Sequence, residues 1–217
     1  MRIKLRTLIL AWVVILIALA WMLKTSAVSV KLTGGQTAVK SKSMWQLYQY
    51  RDVTLMRQAP MKWCPYLAYR VIHDHVRIEV HDNKYWIVCD TNVTKLLLPD
   101  ATYNKRFAKS FKAKGNRKQK IRAIYKYCRK TRYTADRHTY AKDVFQSRQG
   151  DCAAIAAAFY VLCKAKHIPV RYVIGFIVND CHAWNMVKYK GRWWHVDATN
   201  GWFMERKLAG RKILEIW

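Results

Sequence analysis

The chain has 217 residues, with 40 Lys and Arg set against 13 Asp and Glu, for a formal net charge of +27. That length suits one hydrophobic leader plus one domain large enough for a proper core. So large an excess of cations demands an anionic partner or counter-surface.

Arg2, Lys4 and Arg6 precede an uncharged apolar run from Leu8 to Leu23. A membrane span needs about 20 residues, and the run reaches that when Thr7 is counted and Lys24 snorkels to the interface. Residues 1–24 are therefore expected to form a signal-anchor helix; a cleaved signal peptide is the alternative, which Trp12, Trp21 and the weak cleavage site at Ala27 and Ser29 disfavour. The basic residues ahead of the span favour a single-pass protein of the cell membrane with its domain outside, although Lys24, Lys31, Lys40 and Lys42 blunt the bias. Residues 25–43, polar and containing Gly34-Gly35, read as a tether.

Residues 44–100 make up the N-terminal part of the domain. Met44 to Arg57 reads as a helix, and Val71 to Asp90 as two strands around Asp82-Asn83. On the first of those strands His73, His75 and His81 would share a face. At about 3.3 Å per residue His81 lies ~20 Å from His75, so no single ion reaches all three and the face reads as solvated. No metal site and no cofactor is expected. Asp100 to Tyr103 reads as a loop.

From Ala101 to Ala135 there is no acidic residue, while Lys118, Arg122, Lys126, Arg129 and many other cations crowd the stretch. Ile121, Ile124, Tyr125 and Cys128 form an apolar helical stripe within it, which makes this a folded helix with a basic outer face. Its expected counter-surface is an anionic membrane or cell envelope. Nucleic acid is the rival, but no zinc finger, Gly-rich phosphate loop or RNA-recognition motif accompanies the charge.

The chemistry-bearing residues follow. Cys152 to Lys166 is apolar on nearly all sides and lacks Gly and Pro, which predicts a buried central helix. Gly150 permits a sharp approach and Asp151 can cap, so Cys152 falls in the first turn, where free amides and the dipole favour a thiolate. Cys128 and Cys163 lie on apolar faces and read as core. The six cysteines show no disulfide-framework spacing.

Ala183 to Tyr189 and Arg192 to Asp197 read as a hairpin around Lys190-Gly191. A two-residue loop sets Tyr189 against Arg192, hence Trp184 against Asp197 and His182 against Thr199, all on one face. His182 and Asp197 become diagonal neighbours, close enough for the carboxylate to fix an imidazole tautomer that serves a thiol. His195 is the competing base, but it sits mid-strand opposite Met186 and reads as a packed histidine. Cys181, on the opposite strand face, reads as a neighbour rather than a second nucleophile.

Gln149-Gly150-Asp151-Cys152, the helix after it, Ile168 to Phe176, His182-Ala183-Trp184-Asn185 and His195 to Thr199 together resemble the transglutaminase-like superfamily, thiol enzymes with a papain-like fold. The resemblance covers about residues 115 to 203. It implies an α+β fold with a central Cys-bearing helix packed on an antiparallel sheet, a catalytic core over residues 101–217, and catalytic roles for Cys152, His182 and Asp197. His167 stands where the family usually has Gly, so the helix C-terminus is expected to close differently without touching the chemistry. Nothing resembles the calcium-binding segments or flanking β-domains of animal transglutaminases. Acyl transfer or hydrolysis at protein or peptide amide bonds is implied, with the choice between them open. A noncatalytic basic protein that binds anionic polymer is the alternative from another class. Gln146, Tyr133 and Trp184 are candidates for the second oxyanion donor beside the Cys152 amide.

Overall fold

The computed structural model describes residues 35–39, 60–81, 84–135, 139–177, 180–207 and 211–217. The expected anchor and the helix over Met44 to Arg57 lie outside them. Among the described residues no helix is long and apolar enough to cross a membrane.

The unit spanning Leu32–Trp217 is built around one helix. In chain order its elements are β1 (Gly35–Val39), a 3-10 turn (Met61–Trp63), α1 (Pro65–His75), β2 (Val76–His81), β3 (Lys84–Cys89), α2 (Val93–Ser110), α3 (Arg117–Arg129), β4 (Arg132–Tyr133), α4 (Ala141–Ser147), β5 (Gln149–Gly150), α5 (Cys152–Ala165), β6 (Val170–Ile177), β7 (Asp180–Tyr189), β8 (Arg192–Asp197), β9 (Trp202–Glu205) and β10 (Arg211–Ile216). Every residue of α5 from Ala153 to Cys163 is buried. With small alanines on several sides the helix can be approached closely all round, and α1, α2, α3, α4, β6 and β7 all pack against it.

The helix opens as its sequence dictates. Asp151 caps it, its carboxylate accepting from the Ala154 amide at 2.8 Å. At the far end His167 takes the left-handed conformation, with φ 55°. Its amide donates to Lys164 O (3.2 Å) and that of Ile168 to Cys163 O (3.0 Å), the paired bonds of a Schellman close. The helix thus ends as it would with glycine, and histidine bears the backbone strain.

A five-stranded antiparallel sheet, ordered β10-β6-β7-β8-β9, covers one side of α5. The β7–β8 turn has positive φ at both Lys190 (49°) and Gly191 (77°), and the strands pair Tyr189 with Arg192 and Met186 with His195, as the two-residue loop requires. A second antiparallel sheet has the order β1-β3-β2.

Three readings of the N-terminal half are corrected. Val71 to His75 belong to α1, not to a strand: Pro65 starts the helix, and Pro65, Ala68 and Ile72 are buried at helical spacing. His73 and His75 are therefore helical, with His73 against the Tyr69 ring (4.3 Å) and His75 bonded to Asp90 (2.8 Å). Asp100 to Tyr103 continue α2. Asn92 caps that helix and Pro99 lies inside it on an exposed face, so the Lys95 carbonyl that the proline leaves unbonded can face water. Gly35–Val39, within the stretch read as tether, is a strand paired with β3.

Gly175 in β6 is a point of close approach. A Cβ there would lie 2.2 Å from Lys212 O and 2.7 Å from the Trp184 ring. Gly175→Ala is expected to destabilise the domain by about 1–3 kcal/mol, seen as a lowered thermal midpoint; a midpoint equal to wild type would show that β10 yields freely.

Candidate active site

Three elements meet at one cleft of about 520 Å³, whose lining includes Arg129, Tyr133, Cys152, Asp180, Cys181, His182, Thr199 and Asn200. The start of α5 brings Cys152, which is partly exposed. The third position along β7 brings His182, and the end of β8 brings Asp197, both buried.

His182 Nε2 lies 2.9 Å from Asp197 Oδ2. With the carboxylate ionised, Nε2 carries the hydrogen and donates it, which leaves Nδ1 for the thiol. Asp197 is held in turn by the chain that follows β8. Its Oδ1 accepts from the amides of Thr199 and Asn200, both at 3.0 Å, and its Oδ2 accepts from Asn200 Nδ2 at 3.0 Å. A buried carboxylate with this many donors is stabilised as the anion. Burial raises its pKa, but His182 and Asn200 outweigh that, and the pKa is lowered.

The His182 imidazole shows the opposite balance. Burial favours its neutral form, yet the hydrogen bonds to Asp197 and Cys152 and the charges of both raise its pKa to about 9. A base with its folded pKa above the usual 6.5 contributes stability that is fully present below about pH 6.5 and lost as the pH rises through about 9. Asp197 acts in the other direction. Its contribution is present above the ordinary carboxylate pKa and is lost as the pH falls through its lowered folded value.

The other candidates separate clearly. Trp184 is buried, donates its indole N–H to His195 Nδ1 at 3.0 Å, and has its ring stacked 6.0 Å from that of His182. Its N–H is thus committed to His195, and His195 serves as a packed acceptor. Gln146 is exposed on α4 and is not among the cleft residues. Tyr133, on β4, lines the cleft. Cys181 lines it too and is exposed, with a pKa raised by partial burial and by the charge of Cys152. Burial pushes the thiols of Cys64, Cys128 and Cys163 up.

Sequence reasoning missed two residues. Asn200 touches both His182 and Asp197, at 3.2 and 3.0 Å. Its signal was the Asp197-Ala198-Thr199-Asn200-Gly201 run after a strand, where an Asp side chain can accept from amides two and three residues on. Arg129 was counted only as one basic residue among many. It donates to Thr199 O at 3.2 Å across a separation of 70 residues, which no local pattern announces.

The profile of the Transglutaminase-like superfamily matches residues 105–198. That stretch contains α3, α5 and the β6–β8 strands. Over that stretch, which is under half of the chain, the protein is similar to the transglutaminase-like superfamily. Among solved structures, the chain is similar to a protein described as a candidate cysteine protease from Cytophaga hutchinsonii, with 20% identity and a TM-score of 0.45 over 65% of this chain and 66% of that one. It is also similar to a structure described as a TGase, at 13% identity and a TM-score of 0.37, over 61% of this chain and 46% of that one. The chain thus spans just under two thirds of the first and less than half of the second. No curated protein matches it.

Two measurements test the geometry. Titration of the His182 imidazole by NMR is expected to give a midpoint of about 9, falling in both Asp197→Asn and Cys152→Ala because each removes a partner that favours the imidazolium. A midpoint unmoved by either change would refute the coupling. Separately, a thiol-directed alkylating probe near neutral pH should label Cys152 ahead of the buried thiols, persist in Cys181→Ser and slow sharply in His182→Ala. Labelling of Cys152 no faster than that of Cys64 would count against an activated sulfur.

Proposed function

We propose that this transglutaminase-like protein is a thiol acyl-transfer enzyme acting on carboxamide or peptide bonds of a protein or peptide. The observation that carries the reading is the His182–Asp197 bond of 2.9 Å in a buried wall beside a cleft that also contains Cys152. Cys152 is the nucleophile, His182 the acid and base, and Asp197 the group that orients the imidazole and stabilises its charge. Asn200 and the turn it belongs to hold the carboxylate.

The sulfur of Cys152, ionised by transfer of its proton to His182 Nδ1, attacks the carbonyl carbon. The oxyanion that forms is met by the Cys152 amide, unpaired at a helix start, and Tyr133 is placed in the cleft as the candidate second donor. As the C–N bond breaks, His182 gives its proton to the departing nitrogen, and a thioester remains on Cys152. Water or an amine then surrenders a proton to His182 and attacks the thioester, which restores the thiolate. With water the outcome is hydrolysis, and with an amine it is transfer. The charge-bearing leader, Arg2 to Arg6 before the apolar run, supports a location at the cell membrane with the domain outside.

The deciding experiment incubates the protein with envelope extract and a primary amine, then examines Cys152 by mass spectrometry. A thioester on Cys152, absent in Cys152→Ala, is expected, and amine-conjugated rather than hydrolysed products would mark the transferase branch. Turnover in His182→Ala should fall by about 10²–10⁴-fold, the usual contribution of a positioned acid–base group. Full turnover by Cys152→Ala would overturn the proposal.

A further inference from the structure

Arg129 combines features that the reaction itself does not need. It ends α3, is exposed, and lines the same cleft as Cys152 and His182. Its guanidinium donates to Thr199 O at 3.2 Å and lies against Gly201, within 3.5 Å of where a Cβ would stand. These contacts leave its charge without a carboxylate. Among the described residues, no ion pair involves any Lys or Arg of α3.

The charge does not stop at the cleft. Lys118, Arg122, Lys126 and Arg129 follow one another at helical spacings of three or four, so they form a row along one side of α3. The rise of 1.5 Å per residue makes that row about 16 Å long, the reach of about five residues of extended peptide. The row is anchored, because Arg122 lies 5.1 Å over the Phe203 ring and Tyr125 packs on the same ring at 5.0 Å. Asp180, at the start of β7, is the carboxylate of the lining, so the positive field belongs to the α3 side of the cleft.

We infer that the substrate of this site is an acidic segment: a polypeptide whose reacting carboxamide enters the cleft while neighbouring Asp or Glu side chains lie along Arg129, Lys126 and Arg122. This rests on the thiol acyl-transfer reading and names the substrate class for it. A bilayer could meet cations that face outward, but a charge set in the lining of the reacting cleft is reached by a chain that enters there. Multiple weak surface attractions acting together, with long-range steering, are what such a row supplies.

The test uses glutamine-containing peptides that differ only in whether Glu, Ala or Lys flank the glutamine, with release of ammonia as the readout. The Glu-flanked peptide is expected to exceed the Ala-flanked one in kcat/KM by about tenfold or more at low ionic strength, with the Lys-flanked peptide worst. The preference should collapse in about 1 M salt, where the screening length is about 3 Å. It should also be lost in Lys118→Glu/Lys126→Glu, which cancels the charge of the row and leaves the Thr199–Gly201 contacts of Arg129 in place. Equal turnover of all three peptides, or an acidic preference that survives charge reversal, would overturn the inference while leaving the acyl-transfer reading intact. Binding of the protein to anionic vesicles with no peptide preference would overturn it in the same way and assign the charge to the membrane. Failure of the underlying chemistry is distinct: no Cys152 thioester would form with any of the peptides.

Discussion

The buried carboxylate of Asp197 is the constraint on which the site depends. Placing an anion at 1% exposure is costly unless donors surround it, and here they come from His182, from the Asn200 side chain and from the amides of Thr199 and Asn200. The same arrangement fixes the imidazole. One nitrogen is committed to Asp197, and the Trp184 ring, itself held by His195, stacks beside it. The packing of β8 and its following turn therefore decides which way the histidine can act.

The second requirement is that the sulfur reach that imidazole, and α5 meets it by its position. Eleven consecutive buried residues, Ala153 to Cys163, make the helix an axis for the fold, so that its first turn is located by contacts on every side. Tyr172, wholly buried on β6, donates its hydroxyl to Ala153 O at 3.1 Å and ties the start of the helix to the sheet that carries His182. Sheet and helix are thus joined within one residue of Cys152. A partly exposed thiol at the end of a rigid, dry helix is open to the cleft and held in place beside His182.

Charge is layered onto this frame by α3. Its inner face, Ile121, Ile124 and Cys128, is buried, and its outer face is cationic. Because the helix ends at the cleft, its last cation, Arg129, stands in the cleft lining. Arg129 joins the two functions, since the carbonyl it holds belongs to the turn that holds Asp197.

Periodicity and turn chemistry made much of the C-terminal half legible. The apolar run after Asp151 could only be a buried helix, and two residues between two strands set a register that brought His182 diagonal to Asp197. Local signals did worse before residue 105. There Val71 to His75 could alternate as a strand or continue the helix begun at Pro65, and burial of Ala68 and Ile72 decided for the helix. Asp100 to Tyr103 read as a loop, but Pro99 sits on an exposed face and α2 runs through it. In the C-terminal half, local state and strand face could be read along the chain, since these follow from periods of 3.6 and 2. Which distant groups meet could be seen only in three dimensions: Arg129 with Thr199, Trp184 with His195, and α3 with the mouth of the cleft. Those pairings depend on how whole elements pack, and packing energy is spread over many side chains that no short stretch of sequence contains.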